Sequence, residues 1–484
     1  MNEQSKSIDL RSVALDILTE VTQNGGYLNQ LLRQVLDKYA YLDRRDRAFI
    51  SRLCIGTVER MITLDACIDR VSKVPVRKMK PFIRNLLRIS AYQIYEMDSV
   101  REYAICDEAV KLAKKRKFTP LAGFVNGVLR TLIRERDRAV EEDPSIRTSP
   151  ALMYRKLLPD VPDAVIYGLP EFIFRRLKEA YPDRALSICD AFMAHNELPT
   201  SVHLLRGVRK NVTDDVTDLV SRGVLKVHPC EQNASSEADM FLCPHLDVLM
   251  EESLWKEGCF MVQDISSAVV GRMLSLKKGD RILELCASPG GKTLHAADLL
   301  SVIDPDMHPV ISCDISAQKV SRIEENLMLH HMNGRVRTCI WDATKPGLLS
   351  QLDVPPFDIV IADVPCSGLG MLGNKPDIRH RLKEEDLSEL QDIQRKILTQ
   401  AADLVRPGGV LLYSTCTLNP GENAKQMQWF YEHFPFEEDP ESAAKLKAAL
   451  GGTYEGYRER FGFSLLPGEY PGEGFYLCRS VKKH

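Results

Sequence analysis

The chain has 484 residues, 44% of them apolar, enough for two or three hydrophobic cores. No apolar run approaches the ~18 residues of a membrane span, the opening MNEQSKSIDLRS lacks a secretory signal, and the thirteen cysteines include no C-x-x-C pair. These features argue against a membrane protein, a secreted disulfide framework and a zinc site, and we expect a cytoplasmic enzyme without metal. The net charge of −3 is uneven: residues 1–140 hold 26 Lys+Arg against 17 Asp+Glu, the asymmetry of a surface that meets phosphates.

From Asp9 to Arg136 apolar residues recur at helical spacing, as in Val13, Ile17 and Val21 or Leu86, Leu87 and Ile94, with breaks at Gly25-Gly26, Pro75 and Pro120. This predicts an all-α domain over residues 1–136. Two basic clusters punctuate it: Lys73, Arg77, Lys78, Lys80, Arg84 and Arg88, then Lys111, Lys114, Lys115, Arg116 and Lys117. Segment 137–150, charged and holding two prolines, reads as a linker. Residues 151–260 read as an α+β module: Phe172 to Tyr181 and Ala185 to Ala194 are helical in pattern, and short apolar runs from Ser201 to Phe260 alternate with Gly, Pro and the Asn-Ala-Ser-Ser of 233–236.

After Phe260 strands and helices alternate regularly, predicting a doubly wound α/β domain over 261–484. Its expected strands are Arg281–Cys286, Pro309–Asp314, Val336–Asp342, Phe357–Asp363 and Gly409–Thr415, with helices at 291–300, 317–331 and 385–405. Two last strands near Phe463–Leu466 and Phe475–Arg479 finish the sheet. The first strand runs into RILELCASPGGKT, where Pro289-Gly290-Gly291 makes a turn and Lys292 opens a helix. Ligands of such sheets bind beyond the carboxyl ends of the strands. A triphosphate loop would need glycine where Cys286 stands, and G-x-G-x-x-G is absent.

Four predicted strands end on or near an acid: Glu284, Asp314, Asp342 and Asp363. Such a ring suits a ligand that presents hydroxyls, an amino group and a cationic centre, as S-adenosylmethionine does. Asp314 is placed for its ribose hydroxyls and Asp342 for its adenine amine. Lys292 is then a pocket-wall or carboxylate-facing residue. Cys366 and Cys416 each sit at the mouth of a predicted strand. A thiol beside this cofactor fits methylation at carbon 5 of cytosine, where a thiolate adds to carbon 6 and activates carbon 5. A donor is needed at nitrogen 3, a task for Asp363 if burial raises its pKa.

Glu284-Leu-Cys-Ala-Ser-Pro-Gly-Gly-Lys-Thr293, Asp363-Val-Pro-Cys-Ser-Gly-Leu-Gly370 and Ser414-Thr-Cys416 resemble the Sun-type family of RNA cytosine-5 methyltransferases, whose motifs read D-L-C-A-A-P-G-G-K-T, D-A-P-C-S-G-x-G and S-T-C. Val262-Gln263-Asp264, Lys375-Pro376-Asp377-Ile378, Glu422-Asn423 and Gly474-Phe475-Tyr476 extend the similarity. The resemblance implies a class I, Rossmann-like fold, Cys416 as the attacking thiol and Cys366 as its assistant in product release. It implies a cofactor site lined by Cys286, Ala287, Ser288, Pro289, Gly290, Gly291, Lys292, Asp314, Lys319, Asp342 and Asp363. The chain departs from the family at Met371 to Asn374, where arginines are usual, and at Lys319, where an arginine is. The N-terminal third is similar to the antitermination factor NusB through Asp43 to Arg47, Gly56 to Arg60, Leu87 to Gln93 and Phe124 to Arg130. A NusB-like domain joined to a Sun-type domain implies a bacterial enzyme acting on 16S ribosomal RNA, free or in an early assembly intermediate, as a monomer.

Overall fold

The computed structural model describes residues 8–194, 199–209, 211–231 and 237–484, so the Asn-Ala-Ser-Ser stretch lies outside the described residues. The chain packs as two units: Met1–Met193 with Leu372–Leu382, and Ala194–Met371 with Lys383–His484. No helix among the described residues is long and apolar enough to cross a membrane.

The first unit is helical throughout. Asp9 and Asp43 start the helices Leu10–Asn24 and Arg44–Glu59 by accepting from the backbone N–H of Ser12 (3.0 Å) and Asp46 (2.8 Å). The helix Pro81–Glu96 is the hub: Ile83 and every residue from Asn85 to Tyr95 are buried. Gly56 lies against it where a Cβ would fall 2.0 Å from the Tyr92 ring, so only glycine lets these helices approach.

Two expectations change here. The helix Ala122–Glu142 runs well into the stretch read as a linker, and Pro144 and Pro150 open a short 3-10 turn and the helix Pro150–Leu157, with Ile146 buried. Proline at the first turn of a helix starts structure rather than interrupting it, because its missing N–H would have been unpaired there. Arg88 also leaves the basic surface cluster: it is buried, and its guanidinium holds both oxygens of Asp65 at 2.7 and 2.6 Å. Lys73, Arg77, Lys78, Lys80, Lys114, Lys115 and Lys117 are exposed.

Residues 372–382 fold as part of this helical unit. Arg379, 2% exposed, donates to the carbonyls of Glu59 (2.8 Å) and Leu372 (2.8 Å), and His380 bonds the Val58 carbonyl at 2.7 Å. Val58 and Glu59 end the helix Arg44–Glu59, whose last carbonyls lack helical partners and carry the negative end of its dipole.

The second unit holds two sheets. The smaller contains β1 (Thr200–Leu204), β2 (Lys226–Val227), β3 (Met240–Cys243) and β4 (Phe260–Val262) in the order β2-β3-β1-β4, antiparallel throughout. Val202, Leu204, Leu219, Phe241 and Phe260 form its core. The larger sheet has nine strands: β5 (Ile282–Leu285), β6 (Val310–Asp314), β7 (Val336–Ile340), β8 (Phe357–Asp363), β9 (Val405–Thr415), β10 (Phe436–Glu438), β11 (Tyr457–Arg458), β12 (Phe463–Leu465) and β13 (Phe475–Lys482). Strands β7-β6-β5-β8-β9 are parallel, whereas β13 runs antiparallel to β9 and brings β12, β11 and β10 with it. The sheet is thus mixed, not wholly parallel.

Alternate residues feed the two faces, as the two-residue period of a strand requires. Ile282, Ile359, Ile361 and Leu412 pack on one side with Ala296 and Leu300 of the helix Gly291–Ile303. Leu283, Leu285, Val360, Ala362 and Tyr413 pack on the other with Ile397 and Leu398 of the helix Asp386–Leu404. From β5 the chain moves outward to β6 and β7, then returns to place β8 on β5's other side. The carboxyl end of β5 is therefore the topological switch point, where an open sheet leaves a crevice for a ligand.

Candidate active site

The turn after β5 lies at that switch point. Cys286, where a phosphate loop would need glycine, is itself left-handed (φ 59°). Ala287 N–H reaches the Cys313 carbonyl (2.9 Å), and Ser288 N–H reaches the Asp314 carboxylate (2.9 Å). Gly290 (φ 102°) then turns the chain into the helix Gly291–Ile303, and a Cβ there would meet Ile323 at 3.1 Å. The side chain of Asn326 holds the Pro289 carbonyl at 2.8 Å, and Gln263 reaches the Gly291 carbonyl at 3.3 Å.

The four acids behave differently. Asp314 is 3% exposed and accepts from Ser288, Ile315 N–H (2.7 Å) and Lys319 (3.1 Å). Asp342 is held below the usual carboxylate range by the hydroxyl (2.7 Å) and N–H (3.0 Å) of Thr344. Asp363 accepts from Lys292 Nζ at 2.6 Å and Ser414 Oγ at 2.7 Å. Glu284 is 1% exposed, bonded to the Thr293 hydroxyl, and pushed up to about 8 by burial. Asp363 is thus an acceptor shared by two donors.

Lys292 is the cation of the site. Burial opposes its charge, but Asp363 and Glu284 more than offset this and its pKa stands above that of an ordinary lysine. Its ammonium lies 5.5 Å from the Phe475 ring centre, a cation–π contact that helps fix the side chain.

No disulfide joins any of the thirteen cysteines, and only Cys286, Cys339, Cys366 and Cys416 are not buried. Strands β8 and β9 pair in register through Asp363 and Ser414, so the turns leaving them are neighbours. Cys366 Sγ lies 3.4 Å from Cys416 Sγ. Cys366 is held well above an ordinary thiol by its hydrogen bond to Cys416 and by burial. The turn carrying Cys366 is braced where Gly370 N–H meets the Cys416 carbonyl (3.0 Å) and Gly474 N–H meets the Gly370 carbonyl (2.9 Å). A Cβ on Gly370 would fall 1.9 Å from the Gly474 oxygen, which accounts for glycine at both places.

Residues 271–480 match the family described as 16S rRNA methyltransferase RsmB/F, and residues 9–134 match the NusB family. Residues 271–480 are an RsmB/F methyltransferase domain, and residues 9–134 are a NusB domain. The probable ribosomal RNA small subunit methyltransferase B of Bacillus subtilis is 29% identical, over 99% of this chain and 100% of its own length. The ribosomal RNA small subunit methyltransferase B of Salmonella arizonae is 28% identical over 99% and 100%. Among solved structures, PH0851 covers 98% of this chain and 99% of its own at 21% identity, with a TM-score of 0.72. A methyltransferase homologue from Pyrococcus horikoshii covers 66% and 97% at 20% identity, with a TM-score of 0.52. These two likenesses bear on the fold.

The RsmB/F domain is that of an S-adenosylmethionine-dependent ribosomal RNA methyltransferase. Its crevice fits that cofactor: a glycine turn opens onto a helix N-terminus, and acceptors end successive strands. Two oxygens offer about four acceptor positions, so Asp314 retains one beyond its three donors. The structure gathers Cys286 to Lys292, Asp314, Lys319, Asp363, Cys366 and Cys416 around adjoining strand ends, with Asp342 just beyond β7. Sequence reasoning gave no role to Ser414, Phe475 or the Glu422 carboxylate. All three lie in stretches that carry the family similarity, Ser414-Thr-Cys416, Glu422-Asn423 and Gly474-Phe475-Tyr476, which marked the places without saying what the side chains touch.

Proposed function

We propose that this enzyme methylates carbon 5 of one cytosine in 16S ribosomal RNA, working as a monomer in the cytoplasm on free RNA or an early assembly intermediate. The observation that carries this reading is the pair of thiols 3.4 Å apart at the ends of β8 and β9, beside the Lys292–Asp363 pair. Bound S-adenosylmethionine supplies an electrophilic methyl group on a sulfonium.

Cys416 Sγ, as thiolate, bonds to carbon 6 of a cytosine turned out of its stack, and the electron pair moves to carbon 5. Lys292, held in place by Asp363, turns its positive charge to the negative charge that develops on the ring. Once carbon 5 carries the methyl group, the sulfur–carbon 6 bond breaks as Cys366 gives its proton to the departing Cys416 sulfur, 3.4 Å away, and Cys366 recovers a proton from carbon 5 as the ring double bond reforms. Cys416 then loses its proton to water and is a thiolate again. Asp314 and Asp342 bind the ribose and adenine of the cofactor, and the turn from Cys286 to Lys292 holds its methionine end. Exposed lysines and arginines of the NusB domain hold flanking RNA by its phosphates, while the base is read in the pocket.

Transfer of labelled methyl groups to small-subunit RNA, followed by mapping of the modified nucleotide, tests the reading. Cys416→Ala is expected to abolish transfer, and Cys366→Ala to accumulate a covalent protein–RNA adduct stable to denaturing gels. Undiminished transfer by Cys416→Ala would overturn the mechanism.

A further inference from the structure

Behind the two cysteines lies a buried polar network that the chemistry above does not use. Glu422, fully buried, sits in the turn between β9 and the helix Ala424–His433. One carboxylate oxygen accepts from Ser367 Oγ (2.5 Å) and Asn419 Nδ2 (2.9 Å), the other from Ser367 N–H (2.8 Å) and Gln394 Nε2 (3.0 Å). Three of these donors are N–H groups that cannot accept, a set that an acceptor-only carboxylate satisfies in full. None carries a positive charge. Ser367 follows Cys366 directly, and its hydroxyl, which donates to Glu422, receives the hydroxyl of Thr417 at 2.7 Å. Thr417 in turn follows Cys416. Gln394 also reaches the Pro365 carbonyl at 2.9 Å, on the other side of Cys366.

The geometry points to Glu422 as a positioning residue for the two-cysteine chemistry: its carboxylate ties the turn carrying Cys366 to the turn carrying Cys416 and holds the two sulfurs against each other. The inference rests on the two-cysteine reading for its catalytic consequence, but its structural content stands apart from it. Without this tie, two loops leaving separate strands would have to keep a sulfur–sulfur contact through the backbone bonds at Gly370 and Val364 and a Ser367–Thr417 hydroxyl pair no longer anchored by the carboxylate. Burying a carboxylate among neutral donors is costly unless every acceptor site is filled, and these are filled by the neighbours of the two thiols. The charge has a second effect. Among the groups that keep Cys366 protonated, after Cys416 and burial, is Glu422. The thiolate is thereby discouraged on Cys366, the sulfur whose proton the release step needs.

Glu422→Gln keeps the shape, removes the charge and sets an amide N–H against donors that cannot accept it. The expected result is S-adenosylmethionine affinity within about twofold of wild type, kcat for RNA methylation lower by about tenfold or more, and KM for RNA unchanged. The pH at which iodoacetamide alkylates Cys366, followed by mass spectrometry, should fall, which loss of packing alone would not produce. Phenylarsine oxide, which bridges two adjacent thiols, should capture the wild-type pair and capture Glu422→Gln more slowly. This arsenical readout requires no catalysis. If Cys416→Ala proves fully active, the covalent reading falls while arsenical capture still tests the tie. Wild-type kcat together with wild-type alkylation and capture in Glu422→Gln would overturn the proposal. Should that variant not fold, Ser367→Ala, which removes one link, must slow arsenical capture and lower kcat, and a wild-type result there overturns it equally.

Discussion

Glu284 and Asp363 end strands β5 and β8, which are paired neighbours, yet their surroundings set them to different tasks. Glu284 is buried to 1% and titrates near 8, against 4.5 for an ordinary glutamate, because desolvation outweighs Lys292 and Thr293. The folded protein therefore keeps a proton that the unfolded chain has lost between these two values, and the contribution of Glu284 to wild-type stability must fall as pH rises from 4.5 to about 8. Glu284→Gln carries no such proton. Relative to wild type, its thermal stability should gain about 4 kcal/mol between pH 4.5 and pH 8. A pH-independent difference in melting temperature would show that Glu284 is charged when folded. The acid was visible in the sequence as a strand-end residue, but its burial was not, because alternation places a side chain on a face without revealing what covers that face. Cys286 was more legible: the glycine missing there excluded a phosphate loop, though Cys286 itself adopts the left-handed conformation that glycine favours.

At the scale of elements, apolar runs bounded by turns and helical spacing located the strands β5 to β9 and the helices Gly291–Ile303, Ala317–Leu329 and Asp386–Leu404. The elements that escaped are held by long-range contacts. Residues 372–382 carry Lys375-Pro376-Asp377-Ile378, read from the sequence as a continuation of the cysteine motif, and nothing local says that they pack in the helical unit. What decides it is Arg379, whose guanidinium fills the carbonyl end of the helix Arg44–Glu59 and whose pKa burial lowers to about 10. Gly168 (φ 63°) leaves room for it, since a Cβ there would lie 2.7 Å from the Glu59 oxygen. Arg379→Ala should cost the helical unit about 3 kcal/mol, because it strands buried carbonyls as well as opening a cavity. Arg379→Lys should recover little of this, as an ammonium cannot span the Glu59 and Leu372 carbonyls in one plane. Limited proteolysis would check the prediction, with new cleavage within 372–382 in both variants. Resistance equal to wild type would remove Arg379 as the anchor.

Across the whole molecule, buried histidines set a boundary on the acid side. Burial lowers His203 and His228 to about 4 in the catalytic unit and His380 to about 4 in the helical unit, and it takes His295 well below 6.5. His203 and His295 lie edge to face at 4.1 Å, and Gln263, bonded to His203 at 2.7 Å, also reaches the Gly291 carbonyl in the cofactor turn. The unfolded chain binds protons at these imidazoles from pH 6.5 downward, while His203, His228 and His380 in the folded chain resist until about 4. Their contribution to stability is thus complete above 6.5 and lost as pH falls through that window, each of these three contributing up to about 3 kcal/mol. Three of the four lie in the catalytic unit, where Glu284 contributes in the opposite sense over the same range. The cofactor turn is tied to His203 through Gln263, so S-adenosylmethionine affinity should weaken as pH falls toward 4, before the unit unfolds. Cofactor titrations at each pH, with calorimetric scans to mark unfolding, would resolve the order. Cofactor affinity constant until unfolding would show that the histidine pair does not couple to the turn.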